Sequence, residues 1–211
     1  PKDHGILIKG NIVPRINNLD EIPSPYTTGL MDEFFDGRLT PIIETSRGCP
    51  FKCTYCNSYG VFGTRYRYRT NESIIRELET LNKKFGIKRI SFEDDVFTLN
   101  RTRVTEVCNG IMERGLDIEW GAYSIAREIP VDLMQLMMKS GCTHLAYGVE
   151  NVYKGTLDRV QKKESPEQIE KTFHNHLLTG LDFKANIMAG FPWETVESVK
   201  TNIEFILENF I

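Results

Sequence analysis

Three cysteines within eight residues, Cys49, Cys53 and Cys56, are the residues of this 211-residue chain whose type and spacing define a chemistry. They stand in Gly48-Cys49-Pro50-Phe51-Lys52-Cys53-Thr54-Tyr55-Cys56, a C-x3-C-x2-C pattern. A loop this tight brings three thiolates to one centre. Structural zinc wants four ligands and closes its shell, and His4, His144, His174 and His176 all lie far away in sequence. A 4Fe–4S cluster normally takes four thiolates. Three would leave one iron open, and an open position is what a catalytic metal site requires. Between Thr45 and Asn71 the chain carries Arg47, Lys52, Arg65, Arg67 and Arg69 but no Asp or Glu, a charge that balances an anionic thiolate cluster. The alternatives are a zinc-bound interaction domain and a non-catalytic iron–sulfur electron carrier, which would need a fourth cluster ligand.

The elements that must position this loop follow from periodicity. Residues 1–40 carry Pro14, Pro23 and Pro25 among polar stretches and read as an extended linker, with a short strand at Gly5–Ile8. From Pro41 strands and helices alternate. Strands are expected at 41–45, 89–92, 118–123, 143–149 and 183–189, and helices over 71–85, from Asn100 to Gly115, from Pro130 to Gly141, from Ser165 to Gly180, and from Val196 onward. Ser165-Pro166-Glu167-Gln168 holds an N-cap, a first-turn proline and a capping-box partner in order. Strict alternation predicts an α/β fold of parallel strands with outer helices. Residues 41–211 fall short of the roughly 200 to 250 that a closed eight-unit barrel needs, so a partial (β/α) barrel with its last unit missing is expected.

Composition sets the class. Net charge is −3, apolar residues make up 40% and charged residues 26%, which excludes disordered and collagen-like chains. That balance gives nucleic-acid binding no support. Five cysteines are odd in number and too sparse for a disulfide scaffold. No apolar run approaches the ~18 residues of a membrane helix and no leader is visible, so a cytoplasmic location without membrane attachment is expected.

Chemistry on parallel sheets gathers at the carboxyl ends of strands. The expected strands exit in turn into the cysteine loop, Glu93-Asp94-Asp95, Ser124 and Arg127, Gly148-Val149-Glu150-Asn151, and Gly190-Phe191-Pro192-Trp193-Glu194. Five polar exits on one face point to one shared site. Elsewhere the plainer readings hold. Cys108, Cys142 and the Met134, Met137, Met138 group are core. His174 and His176 belong to a solvated helix face. Arg65-Tyr66-Arg67-Tyr68-Arg69 is loop packing below the cluster rather than a surface on which bases stack. Glu93, Asp94 and Asp95 are alternatively a helix cap.

The cysteine spacing, its place after the first strand, and Tyr55 before the last cysteine resemble the radical S-adenosylmethionine (radical SAM) superfamily across residues 41–211. The resemblance implies that Cys49, Cys53 and Cys56 bind a 4Fe–4S cluster whose open iron is chelated by S-adenosylmethionine. An electron from the cluster then cleaves it to methionine and a 5′-deoxyadenosyl radical, which abstracts hydrogen from substrate. By the same resemblance Tyr55 approaches the adenine and Gly190 lies near it. One of Glu93, Asp94 and Asp95 receives the amino group, in a stretch that lacks the family's glycines. Glu150 contacts the ribose, and Ser124 and Arg127 meet the ribose or the methionine carboxylate. A reductant such as flavodoxin or ferredoxin and a small-molecule substrate are the implied partners. Asn18-Leu19-Asp20-Glu21-Ile22-Pro23-Ser24-Pro25-Tyr26 and Phe92–Phe97 are similar to the subgroup that carries a cobalamin-binding domain upstream. That similarity implies cobalamin-dependent methyl transfer, with cobalamin in a domain outside this chain; methylthio transfer to RNA or protein is the alternative.

Overall fold

The computed structural model describes residues 13–35 and 39–210; the strand expected at Gly5–Ile8 lies outside them. Its centre is a five-stranded sheet of β1 (Ile42–Ile43), β4 (Arg89–Phe92), β5 (Glu119–Ser124), β6 (Cys142–Glu150) and β7 (Asp182–Ile187), parallel throughout and in that order. β1 and β7 are its edges, so the sheet stays open, as in a partial barrel. A separate antiparallel ladder pairs β2 (Ser46–Arg47) with β3 (Arg67–Tyr68). The basic–aromatic alternation at 65–69 is therefore the two-residue period of a strand: Arg67 is buried and Tyr68 exposed.

The helices are α1 (Ser58–Phe62), α2 (Asn71–Glu79), α3 (Arg101–Glu113), α4 (Val131–Lys139), α5 (Lys154–Arg159), α6 (Pro166–Thr179) and α7 (Val196–Phe210). The sequence set their starts. Thr70 and Asn100 accept from the backbone N–H three residues on, and Ser165 with Gln168 forms the reciprocal capping box. The helix expected over 71–85 is α only to Glu79 and continues as a widened π turn over Thr80–Lys84. That turn lets the Asn82 amide donate to the carbonyls of Ile87 and Asp117, each at 3.0 Å.

Burial on the sheet is dominated by aromatic rings. Trp120 meets Phe92 edge-on at 5.3 Å, Phe92 stacks on Phe97 at 4.8 Å, and the indole N–H donates to Ser140 O at 3.0 Å. Gly141 admits this packing. It sits at φ +98°, and a Cβ there would come 2.0 Å from Ile118 O. Residues 13–35 pack on the core instead of standing free: Leu19 is buried, Asp20 accepts from Thr70 N at the start of α2, and the Tyr26 hydroxyl donates to Ile42 O on edge strand β1.

His174 is exposed as expected, but His176 corrects the solvated-face reading. It is 1% exposed, its Nδ1 donates to Leu181 O at 2.7 Å, and its Nε2 accepts from the Tyr147 hydroxyl at 2.7 Å. Two residues apart on a helix, one imidazole faces water and the other the sheet. Burial holds the His176 pKa below its usual 6.5. The unfolded chain thus takes up a proton as pH falls through about 6.5 while the native state does not. Stability is expected to be insensitive to this group above that pH and to fall below it, by at most about 1.4 kcal/mol per pH unit. Urea titrations of the wild type and His176→Gln at several pH values check this; the variant should lose most of that slope.

Candidate active site

The strand exits enclose a cavity of about 390 Å³. Cys49, Cys53, Cys56 and Tyr55 form one wall, and Glu93, Asp94 and Asp95 reach it from β4. Ser124 and Arg127 reach it from β5, and Glu150 from β6. Gly190 does not line it. Gly190 stands just beyond β7 at φ +97°, where Glu194 accepts from the N–H groups of Gly190 and Phe191 and from the Asn151 amide. Glu194 thereby ties the β7 exit to the β6 exit and presents Phe191 6.4 Å from the Tyr55 ring.

The cysteine loop is held by its backbone. Cys49 N donates to Gly63 O at 3.3 Å, Cys56 N to Cys53 O at 3.0 Å, and Thr54 N to Val160 O at 3.0 Å. Gly48 is obligatory at its φ of +92°, since a Cβ would come 2.3 Å from Arg65 O. All three thiols are free and half-buried. Burial raises the pKa of Cys49 and Cys53; Asp95 and the neighbouring cysteines add to the rise at Cys49, and Lys162 opposes it at Cys53. A bound metal reverses such a penalty, because a coordinating thiol is deprotonated outright. Among the described residues no three His, Cys, Asp or Glu side chains converge closely enough for a single metal ion. Three free thiols on one cavity wall are a donor set that suits an iron–sulfur cluster.

The three acids after β4 divide their work. Asp94, 1% exposed, is saturated: Oδ1 accepts from Thr45 N and Ser46 N at 2.6 and 3.1 Å, Oδ2 accepts from both hydroxyls, and the Arg103 guanidinium lies 3.5 Å away. Among the described residues Asp95 accepts only from the Ser58 hydroxyl at 2.5 Å, and exposed Glu93 only from that of Ser91 at 2.6 Å. Free acceptor capacity toward an incoming amine therefore belongs to Asp95 and Glu93.

Ser124 is buried and shares its hydrogen bond with Thr98. Arg127 is exposed and places its guanidinium 5.6 Å from the centre of the Phe51 ring, bridging the β5 exit to the cysteine loop. Glu150 adopts φ +67° at a register shift of β6, a backbone strain that sites retain when it aims a side chain. Gly148 makes room for it, since a Cβ there would meet Glu150 Oε1 at 2.6 Å. Burial raises the pKa of Glu150, and Lys162 counters it. Burial also pushes the Tyr55 hydroxyl well above its usual range, helped by Glu150 and Cys53.

Sequence reasoning missed Lys162 and Glu164. Both line the cavity, with side chains 6% and 2% exposed and 2.9 Å between Nζ and Oε2. Burial raises the Glu164 pKa against the pull of Lys162 and of a hydrogen bond from the Ala126 backbone. In sequence these residues are an unremarkable charged lead-in to α6. The expected counter-charge is also corrected. None of Arg47, Lys52, Arg65, Arg67 and Arg69 lines the cavity. Arg47 pairs with Glu44, Arg69 with Glu77, and Arg67 donates to the carbonyls of Ile16 and Phe62. The cation that reaches Cys53 is Lys162.

An open parallel α/β sheet carries three cysteines in its first strand-exit loop. The family model of the Radical SAM superfamily matches residues 43–206. The chain belongs to that superfamily and is an enzyme of its class, which implies a 4Fe–4S cluster and S-adenosylmethionine as cofactors. It is 37% identical over 194 residues to an uncharacterised methyltransferase of Pyrococcus horikoshii, covering 91% of this chain and 42% of that protein. In fold it matches the cobalamin-dependent S-adenosylmethionine radical enzyme OxsB (TM-score 0.80, 21% identity, 94% of this chain and 30% of that one). It also matches the radical S-adenosylmethionine methyltransferase TsrM of Kitasatospora setae (TM-score 0.75, 21% identity, 83% and 36%). The chain thus spans less than half the length of these proteins.

Breaking one partner of a buried, hydrogen-bonded ion pair costs about 3–5 kcal/mol. Asp94→Asn should accordingly lower the unfolding free energy by about 3 kcal/mol or more, whereas Asp95→Asn should stay within about 1 kcal/mol, both read from urea denaturation of the metal-free protein.

Proposed function

We propose that this chain is the radical SAM core of a cobalamin-dependent methyltransferase that acts on a small molecule. The observation that carries the reading is the distribution of charge around the cavity. Free acid capacity stands at the β4 exit (Glu93, Asp95), Arg127 stands beyond β5, Lys162 stands beyond β6 and is shared with Glu164, and three free thiols lie on a third wall. An α-amino acid carries one charge of each sign, and this wall is complementary to it. When bound, the 4Fe–4S cluster supplies the electron that cleaves S-adenosylmethionine. Cys49, Cys53 and Cys56 are the residues that would hold it.

The chain's own residues bind and orient. Asp95 and Glu93 accept from the amino group, with Ser58 fixing the Asp95 rotamer. Lys162 and Arg127 take the carboxylate, with Ser124 beside them. Glu150, aimed by its backbone over Gly148, accepts from the ribose hydroxyls. Tyr55 and Phe191 form an apolar slot for the adenine, with Gly190 setting the turn that presents Phe191. The likeness to the cobalamin-dependent enzyme OxsB and the segment at Asn18–Tyr26 support cobalamin as the further cofactor, held outside the described residues. A reductant such as flavodoxin or ferredoxin supplies electrons, and no helix among the described residues is long and apolar enough to cross a membrane.

Reconstituted anaerobically and reduced, the protein should convert S-adenosylmethionine to 5′-deoxyadenosine, and Cys53→Ala should form none. A wild type with its full iron complement and no product would overturn the reading. Lys162→Met/Glu164→Gln removes a charge-assisted hydrogen bond to the ligand worth about 1.5–3 kcal/mol without leaving Glu164 buried as an unpaired charge. It should therefore raise the Kd for S-adenosylmethionine by about tenfold or more, with iron content retained, as measured by equilibrium dialysis.

A further inference from the structure

Four arginines converge on a face of the cysteine loop that takes no part in lining the cavity. Arg67, buried between them, has its pKa lowered first by desolvation and then by Arg15, Arg47 and Arg65. Only Arg47 has a carboxylate partner, Glu44 at 2.6 Å. Arg15 donates to the carbonyls of Gly60 and Val61, Arg65 to the Asn17 side chain at 3.2 Å, and Arg67 to two carbonyls. Among the described residues no acid pairs with any of these three. Like charges held together without counter-charge destabilise the isolated molecule and create a field that attracts an anionic partner.

The wall between this face and the cysteines is thin. Cys49 N donates to Gly63 O, and the Arg15 guanidinium covers Gly63 so closely that a Cβ would lie 3.2 Å from its Cζ. The Arg65 carbonyl packs on Gly48, where a Cβ would stand 2.3 Å away. At both points a glycine leaves no side chain between the surface and Cys49. Tyr59 and Val61 on α1, 39% and 56% exposed, add an apolar centre beside the basic rim.

We propose that this face receives a small acidic one-electron carrier protein, with Arg15 and Arg65 as its anchoring charges. The inference rests on the reading that Cys49 holds a redox-active cluster. One electron passes from the reduced carrier to the oxidised cluster across the glycine wall; the carrier is oxidised by one electron, the cluster is reduced by one, and no bond forms or breaks. Nucleic acid fits less well. Arg67 and Arg69 are consumed by carbonyls and Glu77, which leaves the alternating motif without the free cations that backbone tracking needs. Electron-carrier interfaces are small and steered by charge, which matches a few arginines around two apolar side chains.

The test uses reduced flavodoxin and reduced methyl viologen with the wild type, with Arg15→Gln/Arg65→Gln, and with Lys83→Gln/Lys88→Gln as an equal-charge control on exposed residues. Calorimetric binding of flavodoxin to the cluster-free protein should weaken about tenfold in the arginine variant and lose most of its salt dependence. The control should match the wild type, and thermal melting should show all three folded. With cluster present, the rate of its reduction by flavodoxin should fall by a similar factor, while the viologen rate is unchanged. Unaltered flavodoxin binding in the arginine variant, or an equal loss with viologen, overturns the proposal. Failure to assemble a cluster would count against the cluster reading alone, and the binding arm would still decide the docking face.

Discussion

A buried carboxylate holds the root of the cysteine loop to the sheet. Asp94 leaves β4 and takes both backbone N–H groups and both hydroxyls of Thr45 and Ser46, between β1 and the loop, while Arg103 of α3 balances its charge. Such a group is costly to bury unless every lone pair is satisfied. Its saturation therefore fixes the spacing of three elements at once. The cysteines, Asp95 and Ser58 inherit their positions from that anchor. The same saturation leaves Asp94 without capacity for a ligand, so two adjacent aspartates with the same chemistry acquire different functions from their neighbours.

Charge on this protein is allotted by geometry. Five cations near the cysteines in sequence turn out to brace the β2–β3 ladder, the linker and α2, or to face solvent. Lys162, more than a hundred residues from the cysteine loop, is a cation of the cavity lining that acts on Cys53. Its neighbour Glu164 is buried beside it, with 2.9 Å between Nζ and Oε2.

The cavity also depends on backbone conformations that few residues adopt. Gly48, at positive φ, admits the Arg65 carbonyl, and Glu150 accepts a left-handed backbone at the bend of β6. Glu194 gathers the Gly190 turn onto Asn151 by hydrogen bonds that span two strand exits. Each device is local in space, and several join residues far apart in the chain.

What the sequence by itself determined is the alternation of strands and helices, the helix starts, and the convergence of the strand exits. Hydrophobic period, the capping box at Ser165 and the helix start at Asn100 are short-range properties, legible within a few residues. The thiol cluster and the polar exits at Glu93–Asp95, Ser124, Arg127 and Glu150 were legible for the same reason, because a parallel sheet places every exit on one side. Partner choice was not legible. Which aspartate is saturated, why His176 is buried while His174 is solvated, and why Lys162 rather than Arg65 meets the thiols depend on contacts between residues distant in sequence. Pairing and desolvation act through space, and only the packed chain sets those distances.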